Sequence, residues 1–326
     1  MQVDWQFDHM GMIVTDLDKG VAHFRRAGFV PSGQPTESAW PGPSTVVTLR
    51  EQFLSRDAFA LRLQQPVEGT GLPTEFLEKH GEGIHYIGFA VNDLDAASSQ
   101  MEANGFPVLY GGTLGAGRST VAYHETCQVA DVIVALTSSN TAPTETTTTD
   151  ATWTFEHAGM VVSDLGDAIK CYEAMGFTLF LPPLNTYAPG KSSDAGLAMC
   201  MMTRSGFIIE IMQTFGPRGH EILWGKFLKE HGAGINHIHF AVDNLVEERK
   251  RLTNGGFSSI TTAIDSSGGI TEVYFDTNTV GNVQIALYNG IPRLLYEDTM
   301  RYLVDAGILV GRGGLEKTVR VHIETA

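Results

Sequence analysis

The stretch Phe7–Val14 (FDHMGMIV) returns 148 residues later as Phe155–Val162 (FEHAGMVV). Both stretches alternate in the manner of a half-buried strand, and both carry a histidine at their third position. When both copies of a repeat retain a histidine inside an apolar run, that histidine either supports the fold or binds a ligand. The repeat therefore predicts two related domains in one chain.

A fainter repeat divides each half again. An amphipathic stretch follows each of four strand-like runs and ends in a Gly-Phe pair, and the four stretches begin after Asp16, Asp93, Asp164 and Asn244. Aspartate and asparagine favour helix N-termini, and glycine favours the residue just past a helix. The chain is therefore predicted to contain four βαβββ units and to belong to the α+β class.

Four such units can pair into two domains, since the chain has 326 residues of which 43% are apolar. Residues 138–153 are polar, aperiodic and rich in threonine, which predicts a linker. We expect the first domain to span 1–137 and the second 154–290. The repeat then stops, and in the C-terminal extension 291–326 the first 16 residues are predicted to form an added helix.

The charge and hydropathy of the chain exclude several kinds of partner. A formal net charge of -15 argues against nucleic acid and against anionic membranes, because both recruit basic surfaces. No apolar run has the length of a membrane span, and the N-terminus has no signal-peptide pattern. We expect a cytoplasmic protein that binds neither nucleic acid nor membrane.

The three cysteines, Cys127, Cys171 and Cys200, are scattered along the chain. An odd number without regular spacing is typical of a reducing compartment and predicts no disulfide framework. We expect all three to be small buried hydrophobic residues.

Candidate metal ligands lie in the second half. His157 is on its first strand, Glu210 interrupts the apolar run 207–212, and His237 opens the strand of its second unit. A carboxylate in such a strand is costly to bury unless a cation compensates it. A divalent metal shared with two imidazoles would do so.

With these motifs in this order, the chain resembles the vicinal oxygen chelate superfamily, which includes glyoxalase I, methylmalonyl-CoA epimerase, extradiol dioxygenases and bleomycin-resistance proteins. The resemblance runs from Phe7 to Tyr288. It implies that each pair of βαβββ units closes into one cupped mixed sheet. It also implies that His157, Glu210 and His237 bind one divalent metal ion.

The family's fourth ligand, a carboxylate on the last strand, aligns with Ala286, so this ligand is missing. Gln284 and Tyr288 share that strand face and are alternatives for approaching the metal, as are water and a substrate oxygen. Nitrogen and oxygen ligands without thiolate suit zinc, and they are also compatible with iron, manganese, cobalt or nickel.

The first half keeps His9 but places Arg62, Tyr86 and Ala135 where the second half has its carboxylate, its second histidine and Ala286. An arginine among prospective ligands repels a cation, so we expect the first domain to have lost its metal. Strand alternation predicts that His85 faces away from Tyr86 and cannot replace a ligand.

Two further residues are candidates for proton transfer. His239 shares a strand face with His237, so it could act as a base, contact substrate or support a ligand, or it could be a core histidine bonded to a backbone carbonyl. Tyr274 could reach the cup with its hydroxyl, or it could repeat the packing role of Tyr123. We take His239 and Tyr274 as the catalytic candidates.

The ligand set suits a substrate that chelates a metal through vicinal oxygens. A metal acting as a Lewis acid on a carbonyl would promote removal of the neighbouring proton through an enediolate, and return of that proton gives epimerisation or isomerisation. The tandem pattern resembles the epimerases of C7 cyclitols such as 2-epi-5-epi-valiolone, which implies a polyhydroxy ketone substrate. If the cups close between two chains, the protein forms a homodimer.

Two alternatives stay open. An extradiol ring-cleaving dioxygenase also carries its metal in the second of two domains, but its carboxylate ligand comes from the last strand, where this chain has Ala286. A metal-free binding or resistance protein would hold a small molecule in the cup. Retention of all three ligand types in one half favours a working metal site over this second alternative.

Overall fold

The computed structural model describes residues 4–41, 46–114, 119–126, 129–138, 152–187, 194–264, 270–290 and 322–325. Contacts between residues divide the chain into two compact units. The first unit contains the described residues up to 138 together with 204–207 and 279–283, and the second unit contains the others.

The first unit is built on one mixed sheet of eight strands. Its spatial order is β2-β3-β4-β1-β5-β8-β7-β6, so β1 and β5 lie side by side at the centre. β1 runs antiparallel to β5 and parallel to β4, and β5 runs parallel to β8. The strands are β1 (Trp5–Ile13), β2 (Val30–Pro41), β3 (Val46–Arg56), β4 (Phe59–Glu68), β5 (Gly83–Val91), β6 (Val108–Leu114), β7 (Ser119–His124) and β8 (Ile133–Thr137).

The second unit repeats this sheet and adds a ninth strand at one edge. Its order is β10-β11-β12-β9-β13-β16-β15-β14-β17. The strands are β9 (Trp153–Val161), β10 (Thr178–Tyr187), β11 (Gly196–Arg204), β12 (Phe207–Phe215), β13 (Gly234–Val242), β14 (Ser259–Ile264), β15 (Ile270–Phe275), β16 (Gln284–Asn289) and β17 (His322–Thr325). The predicted fold class, four βαβββ units forming two cupped mixed sheets, is confirmed.

Six α-helices connect the strands: α1 (Leu17–Arg26), α2 (Leu72–His80), α3 (Leu94–Ala103), α4 (Leu165–Ala174), α5 (Leu223–His231) and α6 (Leu245–Asn254). The four helices inside βαβββ units begin at the repeated acidic or amide residue, whose side chain accepts a backbone N–H of the first turn. Each of these helices ends before a glycine with positive φ, at Gly28, Gly105, Gly176 and Gly256. α2 and α5 each connect the first βαβββ motif of one half of the chain to the second βαβββ motif of the same half.

The central strands are not regular. The register of β9 against β13 shifts between Phe155 and His157, which leaves Glu156 as an extra residue, and β1 shifts in the same way around Asp8. On the facing strands, a second shift leaves His85 and Asn236 as extra residues. Such bulges re-aim side chains that strict alternation would send to the opposite face.

Several expectations fall on the margins of the described chain. Residues 139–151 of the predicted linker, the predicted helix over 291–306 and Cys127 lie outside the described residues. The expectation for the cysteines was wrong in part: Cys200 is a free buried thiol, but Cys171 is disulfide-bonded. Within the described chain, the helices are all too short or too polar to cross a membrane.

Candidate metal centre

The sheet of the second unit brings three predicted ligands together around one glycine. On one side of Gly159, the parallel strand β12 places Glu210 directly opposite it; on the other side, the antiparallel strand β13 does the same with His237. His157 lies two residues before Gly159 on β9 and so shares its strand face. Three strands, β9, β12 and β13, are thus needed to assemble a site that no single segment contains.

The ligand atoms of these three side chains converge. Nε2 of His157 lies 3.3 Å from Nε2 of His237, and Oε2 of Glu210 lies 3.6 Å and 3.4 Å from these two atoms. Zinc binds such atoms at about 2.0–2.2 Å, and tetrahedral ligands at that radius are about 3.4 Å apart. The trio therefore has the spacing of one face of a tetrahedral metal site, and all three residues are buried.

Both histidines are oriented by a neighbouring acceptor. Nδ1 of His157 lies 3.1 Å from a carboxylate oxygen of Glu156, and Nδ1 of His237 lies 2.8 Å from Oδ1 of Asn236. An acceptor at Nδ1 favours the tautomer with its proton there, which leaves the Nε2 lone pair for a metal. The bulges at Glu156 and Asn236 thus supply the supporting bonds that metal-binding histidines usually have.

Gly159 is required by the packing of His237. A Cβ at this position would lie 1.8 Å from Cε1 of the His237 ring and 2.2 Å from its Nδ1. The imidazole therefore lies directly over the glycine backbone. The glycine of the repeated His-x-Gly motif is explained by this contact, since any side chain would displace the ring.

The electrostatics of the trio favour a bound cation. Burial alone would raise the pKa of Glu210, but the hydrogen bonds and charges of His157 and His237 hold it well below its usual range. Burial lowers the pKa of His237, and Glu210 offsets this only in part. For His157, burial is outweighed by Glu156 and Glu210, so its pKa is raised. The carboxylate is ionised, as a metal ligand must be.

His239 is clamped between two carboxylates rather than bonded to a backbone carbonyl. Its Nδ1 lies 2.9 Å from Glu156, and its Nε2 lies 2.9 Å from Oε1 of Glu272 in an ion pair that is not aligned as a hydrogen bond. Burial lowers the pKa of His239, but the two carboxylates outweigh it and raise the pKa to about 10. The ring is therefore a buried cation at neutral pH.

The remaining predicted residues surround this cluster. The ring of Tyr274 lies 5.2 Å from that of His237 and 6.4 Å from that of His239. The Tyr288 hydroxyl donates to Glu156 at 2.8 Å and its ring stacks on His239 at 5.0 Å. Ala286 is the register partner of both His239 and Tyr274, so the strand position expected to carry a fourth carboxylate faces these two residues.

The first unit has a different polar cluster in the same place. Arg62 and Tyr86 both pair with Gly11, as Glu210 and His237 pair with Gly159. The Tyr86 hydroxyl lies 2.7 Å from Nε2 of His9, and Arg62 lies 2.5 Å from Oε1 of Glu51. Among the residues that the structure describes, the two groups spaced to hold a metal both lie in the second unit.

The expectation that His85 faces away from this cluster was wrong. Its Nε2 lies 2.9 Å from Oε1 of Gln64, and Nε2 of Gln64 donates to Oε2 of Glu51 at 3.1 Å. His85 therefore joins the network that contains Arg62. The bulge at His85 breaks the alternation on which the expectation rested.

Glu156 and Glu272 are functional candidates that the sequence analysis missed. Glu156 is next to a predicted ligand, where strict alternation would place it on the opposite face. Glu272 is on β15, far from the ligands in sequence. One signal was present: both halves have an acidic residue before the first histidine, Asp8 and Glu156. In both units that residue bonds Nδ1 of the histidine.

Comparisons with known proteins agree with this architecture. A search of curated proteins found no match. Among solved structures, a triple mutant of 4-hydroxymandelate synthase from Streptomyces coelicolor has a TM-score of 0.67 and 15% identity, covering 92% of this chain and 99% of its own. A xylose isomerase-like TIM barrel/4-hydroxyphenylpyruvate dioxygenase fusion protein has a TM-score of 0.58 and 14% identity, covering 93% of this chain and 52% of its own.

A Mn(II)-bound glyoxalase from Novosphingobium aromaticivorans has a TM-score of 0.48 and 14% identity, covering 86% of this chain and 81% of its own. The family model for the Glyoxalase/Bleomycin resistance protein/Dioxygenase superfamily matches residues 8–123 and again 156–275, one match in each half. These two matches cover more than half of the chain, and this protein therefore belongs to that superfamily.

Proposed function

We propose that the protein is a metal-dependent epimerase or isomerase that removes and returns a proton next to a substrate carbonyl. The observation that carries this proposal is the convergence of His157, Glu210 and His237, with both Nδ1 atoms already bonded to acceptors. These three residues would hold one divalent ion. When bound, that ion would supply a Lewis acid that polarises the carbonyl and stabilises the enediolate.

The protein's own residues would bind, orient and move the proton. The C–H bond next to the carbonyl breaks, its proton passes to a group of the cup, and its electron pair forms the enediolate. Return to the opposite face gives epimerisation, and return to the neighbouring carbon gives isomerisation. His239 and Tyr274 are the groups we assign to this transfer, because their rings lie 6.3 Å and 5.2 Å from that of His237. His239 would accept the proton in its neutral form, after its own proton has passed to Glu272, which lies 2.9 Å from its Nε2.

A polyhydroxy ketone is the proposed substrate class, including a C7 cyclitol such as 2-epi-5-epi-valiolone. Polar and ionised groups line this part of the second unit: Glu156, Glu272, Tyr288 and Gln284. Such groups suit a substrate that carries hydroxyls over much of its surface. Of these residues, Gln284 has a side-chain acceptor that an apolar substrate would leave without a partner.

The second candidate function is ring cleavage or another oxygenation, because solved relatives of the same fold include a 4-hydroxyphenylpyruvate dioxygenase fusion protein. In the extradiol enzymes the carboxylate ligand is on the last strand. Ala286 is at that position here, which favours the epimerase or isomerase over the dioxygenase.

The test is turnover of a hydroxyketone in deuterated water, followed by NMR of the recovered ketone. We expect deuterium at the carbon next to the carbonyl and no consumption of dioxygen. Oxygen uptake with a catechol would overturn the proposal in favour of the dioxygenase. Retention of no divalent ion by the purified protein would instead favour a metal-free binding protein.

A further inference from the structure

Gln284 carries a buried polar atom that nothing in its surroundings satisfies. The residue is only 4% exposed, and its Oε1 has no hydrogen-bond partner among the described residues. A buried acceptor without a partner destabilises the folded state, because it has lost its water and gained nothing in return. An amide at this position therefore needs a reason other than the fold.

The first unit shows that the strand does not need an amide here. Gln284 is the register partner of His237 on β16, and Ile133 is the register partner of Tyr86 on β8. Ile133 packs against the apolar cluster of the first unit. The equivalent position in the sheet of the first unit, whose sequence lacks two of the three metal ligands, thus accepts an aliphatic side chain.

A complementary atom lies on Asn236, the residue before His237 on β13. Asn236 is 1% exposed, its Oδ1 bonds His237, and its Nδ2 has no partner among the residues described. Two neighbours of the candidate ligand His237 thus carry one unused acceptor and one unused donor. A hydroxylated ligand can satisfy both kinds of atom.

We propose that Gln284 is a specificity-determining residue whose Oε1 accepts a hydrogen bond from a substrate hydroxyl outside the pair of oxygens that chelates the metal. The Nδ2 of Asn236 donates to another oxygen of the same substrate. This inference rests on the proposed function and narrows it: the substrate is a ketone with more than two oxygens, and simple hydroxyketones lack the group that Gln284 recognises.

The experiment compares wild type with Gln284→Ile, which installs the residue of the first unit. Binding of two probes to the metal-loaded protein is measured by calorimetry. Hydroxyacetone can only chelate the metal, whereas an inosose also carries a hydroxyl on each ring carbon apart from the carbonyl carbon. Metal content and the thermal midpoint without ligand are measured on the same samples. Ile133→Gln, the reciprocal change, is the matched control.

For Gln284→Ile we expect inosose binding to weaken roughly 3- to 10-fold, as for the loss of one hydrogen bond. Hydroxyacetone affinity and metal content should stay the same, and the thermal midpoint should rise by about 2–4 °C because the unsatisfied acceptor is gone. Ile133→Gln should lower the midpoint and leave both affinities unchanged.

Three results would overturn the inference: unchanged inosose affinity, a lower thermal midpoint, or loss of metal, which would make Gln284 a metal ligand. Wild-type protein that binds hydroxyacetone but not the inosose would also overturn it, while leaving the proposed function standing. Wild-type protein that binds no divalent ion contradicts the proposed function itself. In that case the thermal midpoint of Gln284→Ile, compared with wild type, decides whether the Gln284 amide is unsatisfied: an unchanged or lower midpoint overturns the inference.

Discussion

Arg62 and Glu210 occupy the same place in the two sheets. Each is the parallel-strand partner of the glycine two residues after the first-strand histidine, Gly11 in the first unit and Gly159 in the second. One position therefore carries a buried cation in one unit and a buried anion in the other. Because of this difference in charge, the first unit has a buried salt bridge where the second unit has a candidate metal centre.

Replacement of Glu210 by Ala should abolish retention of the metal while the protein stays folded. One ligand of three is lost, but little apolar surface is exposed. Elemental analysis after gel filtration measures the ion per chain, which should fall from one to none. Glu272→Gln is the control, since Glu272 contacts His239 and is outside the ligand trio, and it should keep the metal. Full occupancy in Glu210→Ala, or two ions in wild type, would contradict the assignment.

Replacement of Gly159 by Ala should also remove the metal, because the added Cβ would overlap the His237 ring at 1.8 Å. The ring must move, and an ångström of displacement is enough to disrupt a metal site. Gly234→Ala is the matched control on β13: its Cβ would meet Phe227 at 3.9 Å, an ordinary contact. Equal metal content in the two variants would refute the steric argument.

Loss of the proton-transfer groups should separate chemistry from metal binding. A positioned acid or base typically contributes about 10²- to 10⁴-fold in rate, so His239→Gln with Tyr274→Phe should suppress deuterium exchange by at least that range. Metal content should persist, because neither residue is in the ligand trio. Exchange rates are followed by NMR, and an undiminished rate in the double variant would assign the proton transfer to other residues.

Replacement of Arg62 by Met should destabilise the first unit, because Glu51 would be left as a buried carboxylate without its cation. Breaking a buried pair in this way costs about 3–5 kcal/mol. Adding Glu51→Met should restore most of the loss, since replacing both partners by apolar residues is often close to neutral. Urea unfolding measures both variants. A double variant as unstable as the single one would mean that the pair is not the source of the cost.

The stability of the first unit should fall in acid partly through His85. Burial, together with Arg62 and His9, lowers the pKa of His85 to about 3. Between that value and an unfolded pKa near 6.5, the unfolded chain binds a proton that the folded chain does not, so stability is lost as the pH falls below about 6.5. The loss is about 2 kcal/mol by pH 5.

His85→Asn, which installs the residue of the second unit, should flatten this dependence. Urea unfolding at pH 7.5 and pH 5 measures it, and the exposed His220→Asn is the control that removes a histidine without removing a buried one. If His85→Asn loses as much stability in acid as wild type does, another group is responsible.

The sequence by itself determined the repeat, the four capped helices and the equivalences between the halves. These follow from short-range patterns: strand periodicity, an Asp or Asn at each helix start, and a Gly at each helix end. The alignment of Arg62 with Glu210 and of Tyr86 with His237 also came from the sequence, and the sheet register agrees with both.

Only the tertiary structure decided which side chains contact the candidate ligands and their equivalents in the first unit. Glu156 and His85 both lie at bulges, and a bulge depends on how one strand pairs with another. Strict alternation therefore assigned His85 to the wrong face and gave no reason to consider Glu156. The contact between His239 and Glu272 needs the pairing of β13, β16 and β15, which local sequence does not encode. Long-range register, set by packing of the whole sheet, thus decided the electrostatics of the site.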